Sequence, residues 1–158
     1  MTAKLQIGAK VPEFKLLAFN GGDISPAKLG QSAFALIFYP SDDTPTCTNE
    51  LNDFSAFYEQ FQKCRVRLIG VSCDSLASHA KFAAKHAIRI ELATDADGRT
   101  MEAFGAWGEK QTFGRRYVGV LRTTVLIAKG RVRGLWRVAR VAGHAAEVLA
   151  AAKALGPD

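Results

Sequence analysis

Seven residues, Ala33 to Tyr39, form a nearly continuous apolar run that stops abruptly at Pro40. A run this short, apolar at successive rather than alternate positions, suits a strand buried on both faces, as in a parallel sheet covered by helices. Pro40 to Pro45 breaks the pattern. Leu51, Phe54, Phe57, Tyr58 and Phe61 then recur at helical spacing, which predicts one helix from about Thr46 to Gln62 with these aromatics in the core. Val66 to Val71 repeats the buried-strand pattern, and Leu76, Ala80, Ala83 and Ala87 mark a second helix.

Further along, Leu92 to Asp95 reads as a short strand before an Asp97-Gly98 turn, and Arg99 to Phe104 as a short helix. Gly105 to Arg116 is glycine-rich and reads as a loop. Thr123 to Ala128 and Val132 to Val138 read as strands joined through Lys129-Gly130, with a last helix from about His144. At the N-terminal side, Phe14 to Leu17 reads as a strand and Asn20-Gly21-Gly22-Asp23 as a hairpin turn. Strand, helix, strand, helix, two strands and a helix is the order of a thioredoxin-like α/β fold. We expect a central mixed sheet flanked by helices, with N-terminal strands added. The 158 residues, 48% of them hydrophobic, fit a single domain spanning 1–158.

Other chemistries find little support. The formal net charge is +6, but no nucleic-acid motif accompanies it. Arg131, Arg133 and Arg137 alternate with Val132, Trp136 and Val138, as on a half-exposed strand. The chain shows no apolar run of transmembrane length, and Met1 to Leu5 does not open a signal peptide, so a cytoplasmic protein without a membrane partner is expected. Three cysteines, Cys47, Cys64 and Cys73, are too few and too scattered for a disulfide scaffold or a zinc site. His79, His86 and His144 stand alone and read as packing or surface residues. No metal, nucleotide or flavin is implied, since neither G-x-G-x-x-G nor a phosphate-binding loop occurs.

In an open α/β sheet, function collects at the carboxyl ends of the parallel strands. Here those ends are the 40–47 and 72–75 turns. Thr44 is a natural N-cap and Pro45 a natural first helical residue, which puts Cys47 in the first turn of the helix. Unpaired backbone N–H groups there favour a thiolate, the nucleophilic form of cysteine.

Pro40, Thr44 and Cys47 make P-x-x-x-T-x-x-C. Phe38-Tyr39-Pro40, Asp42-Asp43-Thr44-Pro45, Cys47-Thr48 and Glu50 around them resemble the peroxiredoxins, and within these the bacterioferritin comigratory protein or PrxQ subgroup. Gly70 to Ser75, Trp107 to Lys110 and Arg122-Thr123-Thr124 resemble later segments of that subgroup, so the likeness spans almost the whole chain. The resemblance implies a thiol peroxidase that reduces hydrogen peroxide and organic hydroperoxides through a Cys47 sulfenic acid. It implies that Thr44 hydrogen-bonds the thiolate and the peroxide, that Arg122 supplies the cation, that Pro40 shields the sulfur, and that Glu50 orients an arginine. It also implies a monomer, and an external thiol reductant such as thioredoxin, glutaredoxin or glutathione.

The subgroup's pattern breaks at its second cysteine. The two positions where members carry a resolving cysteine are here Asn52 and Ala83. A one-cysteine mechanism is therefore the leading expectation. Cys73, at the same end of the sheet as Cys47, is the alternative resolving residue. Cys64 is third, roughly 25 Å away along the predicted helix. A thiol–disulfide oxidoreductase would normally need a second cysteine where Glu50 stands, and a C-x5-R phosphatase an arginine where Asp53 stands. A glutathione-peroxidase-like enzyme fits the Pro40, Thr44 and Arg122 pattern less well, and a non-catalytic binding domain would use the basic strand face. Phe113 and Trp107 are candidates for the mouth of the site.

Overall fold

A computed structural model describes residues 5–19 and 21–156. Asn20, within the expected hairpin turn, and Met1 to Lys4 lie outside them. The strands are β1 Leu16–Ala18, β2 Asp23–Ile24, β3 Ala33–Phe38, β4 Val66–Ser72, β5 Glu91–Thr94, β6 Trp107–Thr112, β7 Arg115–Val120, β8 Thr123–Ala128 and β9 Arg131–Arg137. The helices are α1 Pro26–Leu29, α2 Pro45–Ala56, α3 Tyr58–Lys63, α4 Leu76–His86, α5 Arg99–Ala103 and α6 His144–Ala154.

Seven strands form one mixed sheet in the order β2-β1-β5-β4-β3-β8-β9. β3, β4 and β5 run parallel, β8 and β9 add on antiparallel beside β3, and the β1–β2 hairpin extends the far edge through β5. This is the thioredoxin-like arrangement with N-terminal strand additions. Because β3 is apolar at every position, it feeds both layers. Phe34, Leu36 and Phe38 join a core that includes Met101 and Phe104 around α5, while Ala35, Ile37 and Tyr39 join a second core beneath α2, α3, α4 and α6. On β9, Arg131, Arg133 and Arg137 are exposed and Val132 is buried, the expected alternation.

α1 is a further short helix, and α4 buries His79 and Phe82 while Ala80 and Ala87 of the expected stripe are exposed. Two other elements differ from expectation. The helix predicted over 46–62 is two helices, divided at Phe57, whose N–H turns to the Phe54 and Ser55 carbonyls. This tightened turn keeps Phe54 and Phe61 both in the core, their ring centroids 6.0 Å apart. The second is the expected loop over 105–116. Most of it belongs to a β-hairpin, β6 with β7, which forms its own two-stranded sheet. Phe113 and Gly114 both have positive φ at its tip (51° and 77°), a turn whose twist matches the flanking strands. Gly108 faces Gly119 across the hairpin, and a Cβ on Gly108 would meet Leu121 Cδ1 at 3.0 Å. Glycine there reflects close packing rather than loop freedom.

Candidate active site

The turn between β3 and α2 carries the sequence-predicted residues. Thr44 has extended backbone angles and occupies the N-cap, and Pro45 takes the first helical position. The first helical hydrogen bond runs from Thr48 N–H to Thr44 O at 2.8 Å, so Cys47, the third helical residue, lies ahead of the intrahelical ladder. It therefore lies at the positive end of a 12-residue helix.

Arg122 comes from the other side, from the bend between β7 and β8. Pairing of β8 with β3 sets Thr123 against Phe38, which brings Arg122 to the carboxyl end of β3. Its Nη2 donates to Cys47 Sγ at 3.3 Å and its Nη1 to Glu50 Oε1 at 2.6 Å. Glu50 is fully buried one turn along α2 from Thr46, and its Oε2 has no hydrogen-bond partner among the described residues. Burial pushes the Glu50 carboxyl up to about 7, against the downward pull of Arg122 and with a further push from Asp53. Burial alone lowers the Arg122 pKa, but Glu50 and Cys47 more than offset this and hold its charge firmly.

Cys47 is only 1% exposed and packs with the second core. An ordinary core cysteine would have apolar neighbours alone; this sulfur has a guanidinium against it. The Thr44 hydroxyl has one proton and donates it to Ser41 O at 3.0 Å, not to the sulfur, so the expected donation from Thr44 to a thiolate is absent in this state. The hydroxyl's lone pairs stay free to accept. Pro40 is half-buried at the bend after β3.

The other cysteines lie apart. Cys73 is exposed, and its Sγ meets Met101 Sδ at 3.7 Å. Met101 belongs to the opposite core layer from Cys47, so the two sulfurs face different sides of the sheet. Burial of its sulfur, and then the charges of Asp95, Asp74 and Asp97, raise the Cys73 thiol above its usual range. Cys64 caps the end of α3, beside a cavity of about 520 Å³ at the amino end of β3. All three thiols are free. Phe113 projects from the hairpin tip, fully exposed, six residues beyond the base where Trp107 pairs with Val120. No helix among the described residues is long and apolar enough to cross a membrane.

A polar cluster beneath the turn had no signature in the sequence. Asp42 is buried, and its carboxylate takes Tyr39 Oη at 2.6 Å, Ser78 Oγ at 2.8 Å and His79 Nδ1 at 2.8 Å. Its backbone N–H goes to Asp74 Oδ2 at 2.8 Å. Residues about 37 apart in sequence meet here, and spacing along the chain cannot signal such a meeting.

Residues 7–134 match the model of the AhpC/TSA family. Peroxiredoxin Bcp of Bacillus subtilis is 38% identical over 146 residues, covering 92% of this chain and 93% of the relative. The Xanthomonas campestris peroxiredoxin Bcp is 39% identical over 140 residues, 87% of this chain and 88% of its own. Among solved structures, a mutant of X. campestris peroxiredoxin Q superposes with a TM-score of 0.87 at 36% identity, covering 99% of this chain and 100% of that one. A mutant of Xylella fastidiosa PrxQ gives 0.89 at 30% identity, covering 97% and 98%. The match in sequence, in fold and in the cysteine-bearing turn agree: the chain belongs to the AhpC/TSA family, as a thiol peroxidase of the Bcp/PrxQ peroxiredoxins.

Proposed function

We propose that Cys47 reduces hydroperoxides by a one-cysteine cycle, with Arg122, Thr44, Pro40 and Glu50 as its supporting residues. The contact between Arg122 Nη2 and Cys47 Sγ, 3.3 Å at the first turn of α2, carries this reading. The thiolate attacks one peroxide oxygen and a new S–O bond forms as the O–O bond breaks. The electron pair leaves on the second oxygen, which takes up a proton and departs as water or an alcohol. Arg122 is placed to stabilise the thiolate and the charge that moves onto the oxygens. Thr44, its own proton committed to Ser41, accepts the peroxide O–H. Pro40 and the packed helix exclude water. Glu50 fixes the guanidinium.

The product is a Cys47 sulfenic acid. An external thiol condenses with it, releasing water and leaving a mixed disulfide, which a second thiol reduces. Placement of Cys73 on the opposite layer, its thiol held protonated by burial and three aspartates, favours this route over an internal bridge. The X. campestris bacterioferritin comigratory protein, 36% identical to this chain, has alkyl peroxide reduction activity, and we extend that substrate class to this chain. The same reading takes residues 1–158 as one monomeric, cytoplasmic domain, reduced by a thioredoxin, a glutaredoxin or glutathione.

Peroxide consumption by wild type, Cys47→Ser and Cys73→Ser, with dithiothreitol and then thioredoxin as reductant, tests the proposal. Cys47→Ser should be inactive and Cys73→Ser should turn over like wild type. A Cys47–Cys73 disulfide after one equivalent of peroxide would overturn the one-cysteine cycle. Disulfide reduction without peroxide turnover would instead favour an oxidoreductase.

A further inference from the structure

His79 is fully buried, and both of its ring nitrogens face acceptors. Nε2 lies 3.0 Å from the Ala93 carbonyl on β5, which can only accept, so Nε2 carries a proton. Nδ1 lies 2.8 Å from Asp42 Oδ2. Without a second proton on that line, two lone pairs would oppose each other inside the protein. Asp42 already receives the hydroxyls of Tyr39, just after β3, and of Ser78 from α4, so three donors converge on its two oxygens, which suits a carboxylate rather than a carboxylic acid. A second carboxylate, Asp74, touches the same turn through the Asp42 N–H. A neutral ring would leave the buried Asp42 carboxylate without a cation beside it among the described residues, and the half-buried Asp74 would add to its negative surroundings.

The pair sits where it controls the turn. Asp42 stands between Pro40 and Thr44. The next residue, Asp43, holds a left-handed backbone conformation (φ 58°) and reaches outward to Lys85 at 2.8 Å and His86 at 2.7 Å on α4. The turn is thus tied to α4 from inside by His79 and from outside by Lys85 and His86, immediately ahead of the N-cap that presents Cys47.

We infer that His79 is a buried imidazolium which, paired with Asp42, acts as a positioning residue holding the turn that sets Thr44 and Cys47 for reaction. The inference rests on the peroxidase reading for its kinetic consequence but not for its proton count. The count is tested directly in ¹⁵N-labelled wild type at pH 7. Proton–nitrogen correlation should find both His79 ring nitrogens protonated, and a ring protonated at Nε2 alone would overturn the inference whether or not peroxide is consumed. The positioning role is tested in His79→Gln and, because that variant can fail to fold, in Tyr39→Phe and Ser78→Ala, which each remove one donor to Asp42 and leave the ion pair intact. Per folded molecule, the rate of Cys47 with hydrogen peroxide should fall about tenfold or more in His79→Gln and roughly threefold in the hydroxyl variants. Labelling of the buried Cys47 by a bulky aromatic disulfide should rise in the same variants as the turn loosens. Lower melting temperatures with both Cys47 rates unchanged per folded molecule would mean that the cluster is merely structural, and would overturn the positioning role.

Discussion

Replacing Glu50 by glutamine should make the protein more stable at alkaline pH and less active. Glu50 is fully buried, with one oxygen on Arg122 and the other without a partner among the described residues. Its carboxyl ionises at about 7 in the fold against 4.5 ordinarily, burial being the largest cause. At ~1.36 kcal/mol per pH decade this corresponds to roughly 3 kcal/mol. The folded pKa lies above the unfolded one, so between these values the native state keeps a proton that the unfolded chain has released. The contribution is therefore complete below pH 4.5 and is lost as pH rises through about 7. Glutamine has no proton to lose. The stability of Glu50→Gln relative to wild type, from urea titrations at pH 4.5 and pH 8, should move in the variant's favour by about 3 kcal/mol, and the other titrating groups, common to both proteins, cancel. The peroxide rate should fall about tenfold, because a neutral amide holds the guanidinium less tightly than a carboxylate. The same stability difference at both pH values would refute the argument, since it would mean that the pull of Arg122 fully cancels the cost of burying the Glu50 carboxylate.

Arg122→Met should cost about 10²–10³-fold in the second-order rate of Cys47 with peroxide, measured by stopped flow. Arg122→Lys should recover little of this, because one ammonium cannot serve Glu50 and Cys47 with two separate fork nitrogens. Phe54→Ala removes a fully buried ring packed against Phe61 and His144, and should cost about 3–5 kcal/mol in urea unfolding. Cys73 should react with iodoacetamide at pH 8 more slowly than free cysteine, and Asp95→Asn should speed it, since Asp95 is the first of the charges that raise its thiol. Phe113→Ser, at the exposed hairpin tip, should leave the peroxide rate unchanged in the same stopped-flow assay.

Much of the architecture was legible because it rests on local pattern. An uninterrupted apolar strand, a proline-bounded turn and a helical stripe led from Ala33 to Phe61, and β3, α2 and α3 lie along that stretch. The hairpin over 107–120 was missed because its polar positions and its two facing glycines hide the alternation, and its stability comes from pairing across the turn. The break at Phe57 was missed because a single tightened turn leaves the helical spacing of the aromatics almost unchanged.

The sequence by itself determined where the nucleophile sits. Thr44, Pro45 and Cys47 are three residues apart or fewer, and the rules that start a helix act over that distance. Tertiary structure alone decided what surrounds the sulfur. Arg122 lies 75 residues from Cys47 and His79 lies 37 from Asp42, and they meet because β8 pairs with β3 and because α4 folds back over the turn. A guanidinium or an imidazole has no intrinsic preference for such partners. It acquires them when strand register and helix packing carry both groups into one small, water-poor volume, where an unpaired charge is too costly to keep.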